Sequence, residues 1–149
     1  MDTSGVGLQH AVGAAPYVIK PNIHELELLV GQSLPNETAI MSVARELVAR
    51  GIQLVVVSMG KEGAYFVHND ATVLARPPQV VVTSTVGAGD AMVAGLVAAH
   101  LRGFALDACA RLATAFSLDR VTYTGVGLAI PTSIEQLMEA VYVEERTNH

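Results

Sequence analysis

Four consecutive residues, Gly87-Ala88-Gly89-Asp90, carry the most chemistry in this chain. They follow the apolar run Val80-Val81-Val82 and precede Ala91-Met92-Val93-Ala94, so a strand, a glycine turn and a helix start are expected in succession. Glycine lets the backbone come close to a ligand. The first N–H groups of a helix have no partner inside it and stand at the positive end of its dipole. Such a place suits a phosphoryl group. Asp90 in the first turn sets a carboxylate beside it, where the dipole also favours negative charge, and becomes a candidate general base. The plain alternative is a strand-to-helix turn with Asp90 as an ordinary N-cap.

Two familiar phosphate loops do not fit. The dinucleotide fingerprint needs a small third position, and Gly87, Gly89 and Met92 fail it. A Walker loop needs a glycine followed by Lys and Ser or Thr, whereas Lys20 precedes Pro21 and Lys61 precedes Glu62.

The elements that must position this turn alternate between helix-like and strand-like periods, the pattern of an α/β chain. A helix is expected over 8–15, a short strand over 17–19 and a helix over 24–30 closed by Gly31. A further helix is capped by Asn36 or Thr38, buries Ile40, Val43, Ala44 and Leu47, and ends at Arg50-Gly51. Leu54-Val55-Val56-Val57 reads as a strand buried on both faces of a parallel sheet. Residues 64–68 and 72–75 flank Asn69-Asp70-Ala71 as a hairpin. Val80–Val82 reads as another strand. Helices over 90–102, 106–120 and 133–143 follow, the last capped by Ser133 with Glu135 and Gln136 near its N3 position.

The 149 residues, 51% hydrophobic and 15% charged, suit one ordered domain. A net charge of -5 with scattered lysines and arginines argues against a nucleic-acid surface. Cys109 is the lone cysteine, which excludes an internal disulfide and a multi-cysteine zinc site; the five histidines show no metal-like pairing. No apolar stretch is long enough for a membrane span, and Met1–Gly5 lack the pattern of a signal peptide, so a cytoplasmic setting is expected.

The string Ser84-Thr85-Val86-Gly87-Ala88-Gly89-Asp90-Ala91-Met92-Val93-Ala94-Gly95 resembles the second signature of the ribokinase-like, or PfkB, family of carbohydrate kinases. Lys20-Pro21-Asn22-Ile23-His24-Glu25 resembles that family's Asn-x-x-Glu region, and Val57-Ser58-Met59-Gly60-Lys61-Glu62-Gly63-Ala64 its nucleotide-loop strand. Asp2–Gly5 and Arg111–Ala115 resemble the sugar-phosphate kinase branch, bacterial 1-phosphofructokinases above all.

The resemblance implies a Rossmann-like, three-layer ribokinase-type fold: a mostly parallel sheet with helices on both faces and a small hairpin. It implies that Asp90 is the catalytic base and that the N–H groups of Gly87, Ala88, Gly89 and Asp90 form the anion hole. Asn22 and Glu25 would act through water on magnesium and the phosphates. Asn22, Ser58, Gly60, Gly63 and Thr114 would line the nucleotide, and Ser84 with the Val86 carbonyl would hold a monovalent cation such as potassium. Glu25 otherwise reads as a solvated first-turn acid, Ser58 as a strand-end hydroxyl, and Lys20 as a solvated group able to reach a phosphate. His24, His68 and Cys109 are assigned to structure or surface.

The activity implied is ATP-dependent phosphoryl transfer to a sugar phosphate, fructose 1-phosphate first. 6-Phosphofructokinase, tagatose-6-phosphate kinase and a nucleotide-binding module without turnover are the alternatives. The resemblance covers the C-terminal portion of the family fold, residues 1–149 being its nucleotide-binding and base-bearing part. The N-terminal half, with the first glycine-rich signature, the sugar-holding residues and the sheet lid, has no counterpart here. Homo-oligomerisation, or association through an exposed sheet edge, is therefore expected.

Overall fold

The helices that begin after Asn22, Asn36 and Ser133 do so because these side chains take up free backbone N–H groups. The computed structural model describes residues 5–122 and 133–147. Helix α1 spans Gly5–Gly13 and leads into the short strand β1, Val18–Ile19. Asn22 then caps α2, Ile23–Val30, and Gly31 closes it in the left-handed region at φ 70°. Asn36, not Thr38, caps α3, Glu37–Ala49, by accepting from Ala39 N. Strand β2, Leu54–Ser58, turns through a single 3-10 turn at Gly60–Glu62 into β3, Ala64–His68, and the hairpin continues into β4, Thr72–Arg76. Helices α4, Ala88–Leu101, α5, Leu106–Thr122, and α6, Ile134–Ala140, precede the last described strand, β5, Tyr142–Arg146. Ser133 and Gln136 form the expected capping box of α6.

The five described strands lie side by side in chain order. Alternation along β2 sends its side chains to opposite faces. Val55 and Val57 join Leu26, Ile40, Val43, Ala44 and Leu47 in a core under α1, α2 and α3. Leu54 and Val56 join Phe66, Met92, Leu96, Leu112 and Ala113 in a second core under α4 and α5. The architecture is α/β, with helices on both faces of one mixed sheet.

Three details differ from the sequence reading. The sheet is mostly antiparallel among the described residues: β1 pairs with β2 in parallel, whereas β2–β3, β3–β4 and β4–β5 are antiparallel. A parallel neighbour needs a long crossover, which α2 and α3 provide between β1 and β2; β2 instead reverses through one tight turn into β3. Val80–Val82 is not a strand. It follows Pro77-Pro78, has no neighbouring strand among the described residues, and leaves Val81 86% exposed. Finally, the terminal helix stops at Ala140, and the residues after it pair as β5. Val141 is buried in the second core, and the β-branched and aromatic residues that follow suit a pleated surface better than a helix.

Strand β5 is an edge strand with charged side chains. Arg146 Nε lies 3.1 Å from Glu37 of α3 and its Nη1 lies 3.0 Å from Glu144. No described helix is long and apolar enough to cross a membrane.

Candidate active site

The glycine turn forms as its composition requires. Gly87 is the N-cap of α4 and holds φ 81°, a left-handed conformation that a side chain would strain. Ala88, Gly89 and Asp90 are the first three helical residues. Ala91 N donates to Gly87 O at 2.9 Å and starts the helix ladder. Gly87, Gly89 and Asp90 N–H groups make no hydrogen bond to a described residue, and no side chain caps the helix. The fourth member of the expected anion hole differs, because Ala88 N donates to Thr85 O at 3.2 Å. Asp90 is exposed beside these donors. A free amide array at the positive end of a helix of 14 residues can receive a phosphoryl oxygen, and the adjacent carboxylate can take a proton.

A second group assembles where β1 and β2 end. Ser58 N donates to Pro21 O at 3.0 Å, and an isolated parallel bridge joins Asn22 to Ser58. Asn22 Oδ1 accepts from Glu25 N at 2.8 Å, while Glu25 Oε2 accepts from Asn22 N at 2.9 Å. The structure thus brings Asn22, Glu25 and Ser58 together. The capping box leaves Glu25 Oε1 and Asn22 Nδ2 without a hydrogen bond among the described residues. The free carboxylate oxygen can accept from a magnesium-bound water and the free amide N–H can donate to a phosphate oxygen, and no described cluster of three or more His, Cys, Asp or Glu would cage a metal directly. Lys20 departs from its expected solvated position: it is only 7% exposed.

The remaining candidates divide. Gly60 adopts φ 58° with open space where a side chain would stand, so a ligand can approach it. Gly63 has a structural reason of its own. A Cβ there would lie 2.0 Å from the Ala75 carbonyl oxygen of β4. Thr114 is 3% exposed in the interior of α5, and its hydroxyl has no hydrogen-bond partner among the described residues. Ser84 Oγ accepts from Val86 N at 3.2 Å, a local turn that leaves Val86 71% exposed. Cys109 is buried, and burial pushes its thiol up to about 11.

Sequence reasoning missed Arg120. A Cβ on Gly87 would lie 2.9 Å from Arg120 Nε, so the guanidinium stands directly over the glycine turn. The only linear signal is one arginine near a helix end, and its relevance appears only when α5 packs against α4.

Known proteins resemble this chain in sequence and fold. Residues 2–133 match the pfkB family carbohydrate kinase model. The chain is 49% identical over 148 residues to a 1-phosphofructokinase of Xanthomonas campestris pv. campestris, covering 96% of this chain and 46% of that protein. A 1-phosphofructokinase of Rhodobacter capsulatus is 45% identical over 144 residues, covering 97% of this chain and 46% of that protein. The phosphofructokinase-2 from Escherichia coli in complex with potassium superposes with a TM-score of 0.82 at 30% identity, over 93% of this chain and 45% of that one. The chain spans about half the length of the curated relatives it matches. With the signature segments, the α/β layers and the family match in agreement, the chain belongs to the PfkB family of carbohydrate kinases.

Proposed function

We propose that the chain supplies the nucleotide-binding and base-bearing part of an ATP-dependent sugar-phosphate kinase that converts fructose 1-phosphate to fructose 1,6-bisphosphate. The observation that carries this reading is the first turn of α4: Gly87 in the left-handed region, unpaired N–H groups at Gly89 and Asp90, and the Asp90 carboxylate beside them. Asp90 accepts the proton of the acceptor hydroxyl. The hydroxyl oxygen attacks the terminal phosphorus of ATP, the bond to the bridging oxygen breaks, and ADP leaves. Phosphoryl transfer depends on position and charge neutralisation, which the free amides of Gly87, Gly89 and Asp90 provide. Asn22, Glu25, Ser58 and Gly60 orient the nucleotide side, with Gly63 shaping the turn and Thr114 supporting it from within α5. Magnesium would offset phosphate charge, with Glu25 Oε1 accepting from its waters and Asn22 Nδ2 donating to a phosphate oxygen. Ser84 and the Val86 carbonyl are the oxygens for a monovalent cation.

A second reading is favoured by length. Because the chain covers 46% of its relatives and Asp90 is exposed, the isolated chain can act as a nucleotide-binding module without turnover. Exposed Val81, Val97 and Leu101 favour association of the chain, which light scattering reads directly.

Calorimetry with MgATP and coupled ADP release with fructose 1-phosphate, fructose 6-phosphate and tagatose 6-phosphate test these readings together. In an enzyme that also holds the sugar-binding half, fructose 1-phosphate is expected to give the fastest release, and Asp90→Asn to lower it by about two to four orders of magnitude while MgATP affinity stays near wild type. Binding without release from any sugar assigns the chain to the module. Absence of MgATP binding overturns both readings, and an active Asp90→Asn chain overturns the base assignment.

A further inference from the structure

Among the described side chains, the cation at the α4 turn is Arg120, and its placement is fixed by three independent features. Helices α4 and α5 form an antiparallel hairpin, so the C-terminal end of α5 lies beside the N-terminal end of α4. Gly95 allows the two backbones to come together, since a Cβ at that position would be only 2.7 Å from Ala113 Cα. The end of α5 is also tied to the loop ahead of the glycine turn: Thr83 N and Thr83 Oγ1 both donate to Val121 O, at 2.9 and 3.0 Å. One residue before that anchor, Arg120 extends over Gly87. A Cβ on Gly87 would be 2.9 Å from its Nε and 3.6 Å from both Cζ and Nη2.

The electrostatics explain why a cation is needed there. The C-terminal end of α5 carries partial negative charge and lies next to a cradle that must attract an anion. Arg120 reverses that local sign. It forms no ion pair with another described residue, its side chain is exposed, and its planar fork of donors suits phosphate oxygens. We infer that Arg120 is a phosphate-contacting residue: its guanidinium completes the cradle of Gly87, Gly89 and Asp90 and binds the terminal phosphate of ATP. This rests on the proposed kinase reading and adds to it a side chain that distinguishes ATP from ADP.

The test is calorimetric titration of wild-type chain, Arg120→Gln and Arg120→Lys with MgATP and with MgADP, each variant checked by thermal unfolding. Arg120→Gln is expected to raise the MgATP dissociation constant about fivefold to tenfold and to change that of MgADP under about twofold, with Arg120→Lys recovering part of the loss through its charge alone. An Arg120→Gln chain that binds MgATP like wild type overturns the inference and leaves the kinase reading standing. Equal weakening for both nucleotides, with a lower unfolding temperature, assigns Arg120 to packing and also overturns it. A wild-type chain that binds neither nucleotide removes the kinase reading itself, and the inference with it.

Discussion

Replacing Gly95 with alanine tests how closely α4 and α5 must pack. The added methyl carbon would lie 2.7 Å from Ala113 Cα, 3.1 Å from Leu112 O and 3.2 Å from Ala113 N. Ordinary carbon contacts begin near 3.5 to 4.0 Å, so the helices must part by about 1 Å. All three neighbours are backbone atoms, and no side chain can rotate out of the way. Overpacking of this kind costs about 1–3 kcal/mol, and the rigid neighbours place Gly95→Ala toward the upper end. Alanine returns about 1 kcal/mol through its better helix propensity. The net expectation is a destabilisation of about 1–2 kcal/mol. For a chain of this size that corresponds to a fall of about 3–6 °C in the unfolding midpoint. Thermal and urea unfolding followed by circular dichroism would measure it. A Gly95→Ala chain as stable as wild type, or more stable, would refute the claim that backbone contact sets the spacing of α4 and α5.

Gly63→Ala is expected to be more severe. Its Cβ would stand 2.0 Å from the Ala75 carbonyl at φ 101°, so strain and overlap together should cost about 3 kcal/mol or more, and a wild-type urea midpoint would contradict this. Stability should also decline in alkali. Burial raises the Cys109 thiol from 9.0 to about 11, so the folded chain holds that proton more tightly than the unfolded one. This contribution is complete below pH 9 and is lost as pH rises toward 11; urea midpoints of wild type and Cys109→Ala compared across that window should show a shallower decline in the variant.

The helices were legible wherever a local side chain settles the start. Asn36, and Ser133 with Gln136, cap as their spacing implies, whereas the capping box of Asn22 with Glu25 was not read from the sequence. Gly87 to Asp90 was legible for the same reason, since a left-handed turn and a helix start are local events. What escaped depends on neighbours distant in sequence. Val80–Val82 has the composition of a strand but, among the described residues, no strand beside it to accept its hydrogen bonds. The β5 residues pair with β4 across three described helices, so no nearby signal marks their register. Lys20 reads as solvated from its type, and Arg120 reads as an ordinary surface charge. Burial of the first and placement of the second are products of packing.

The sequential order of the sheet bears on how the chain acquires its shape. Strands β2, β3 and β4 are neighbours both in the chain and in space, joined by short reversals, so each can be laid against the preceding one at small loop-closure cost. Strand β5 has no such advantage. It reaches β4 only after α4, α5 and α6 have returned the chain to the sheet, and Arg146 then meets Glu37 on α3. Closure of β5 is therefore expected to be a late, long-range event that fastens the last described strand to a helix from early in the chain, and mutations at this ion pair should act mainly on the rate of unfolding, which stopped-flow urea jumps would measure.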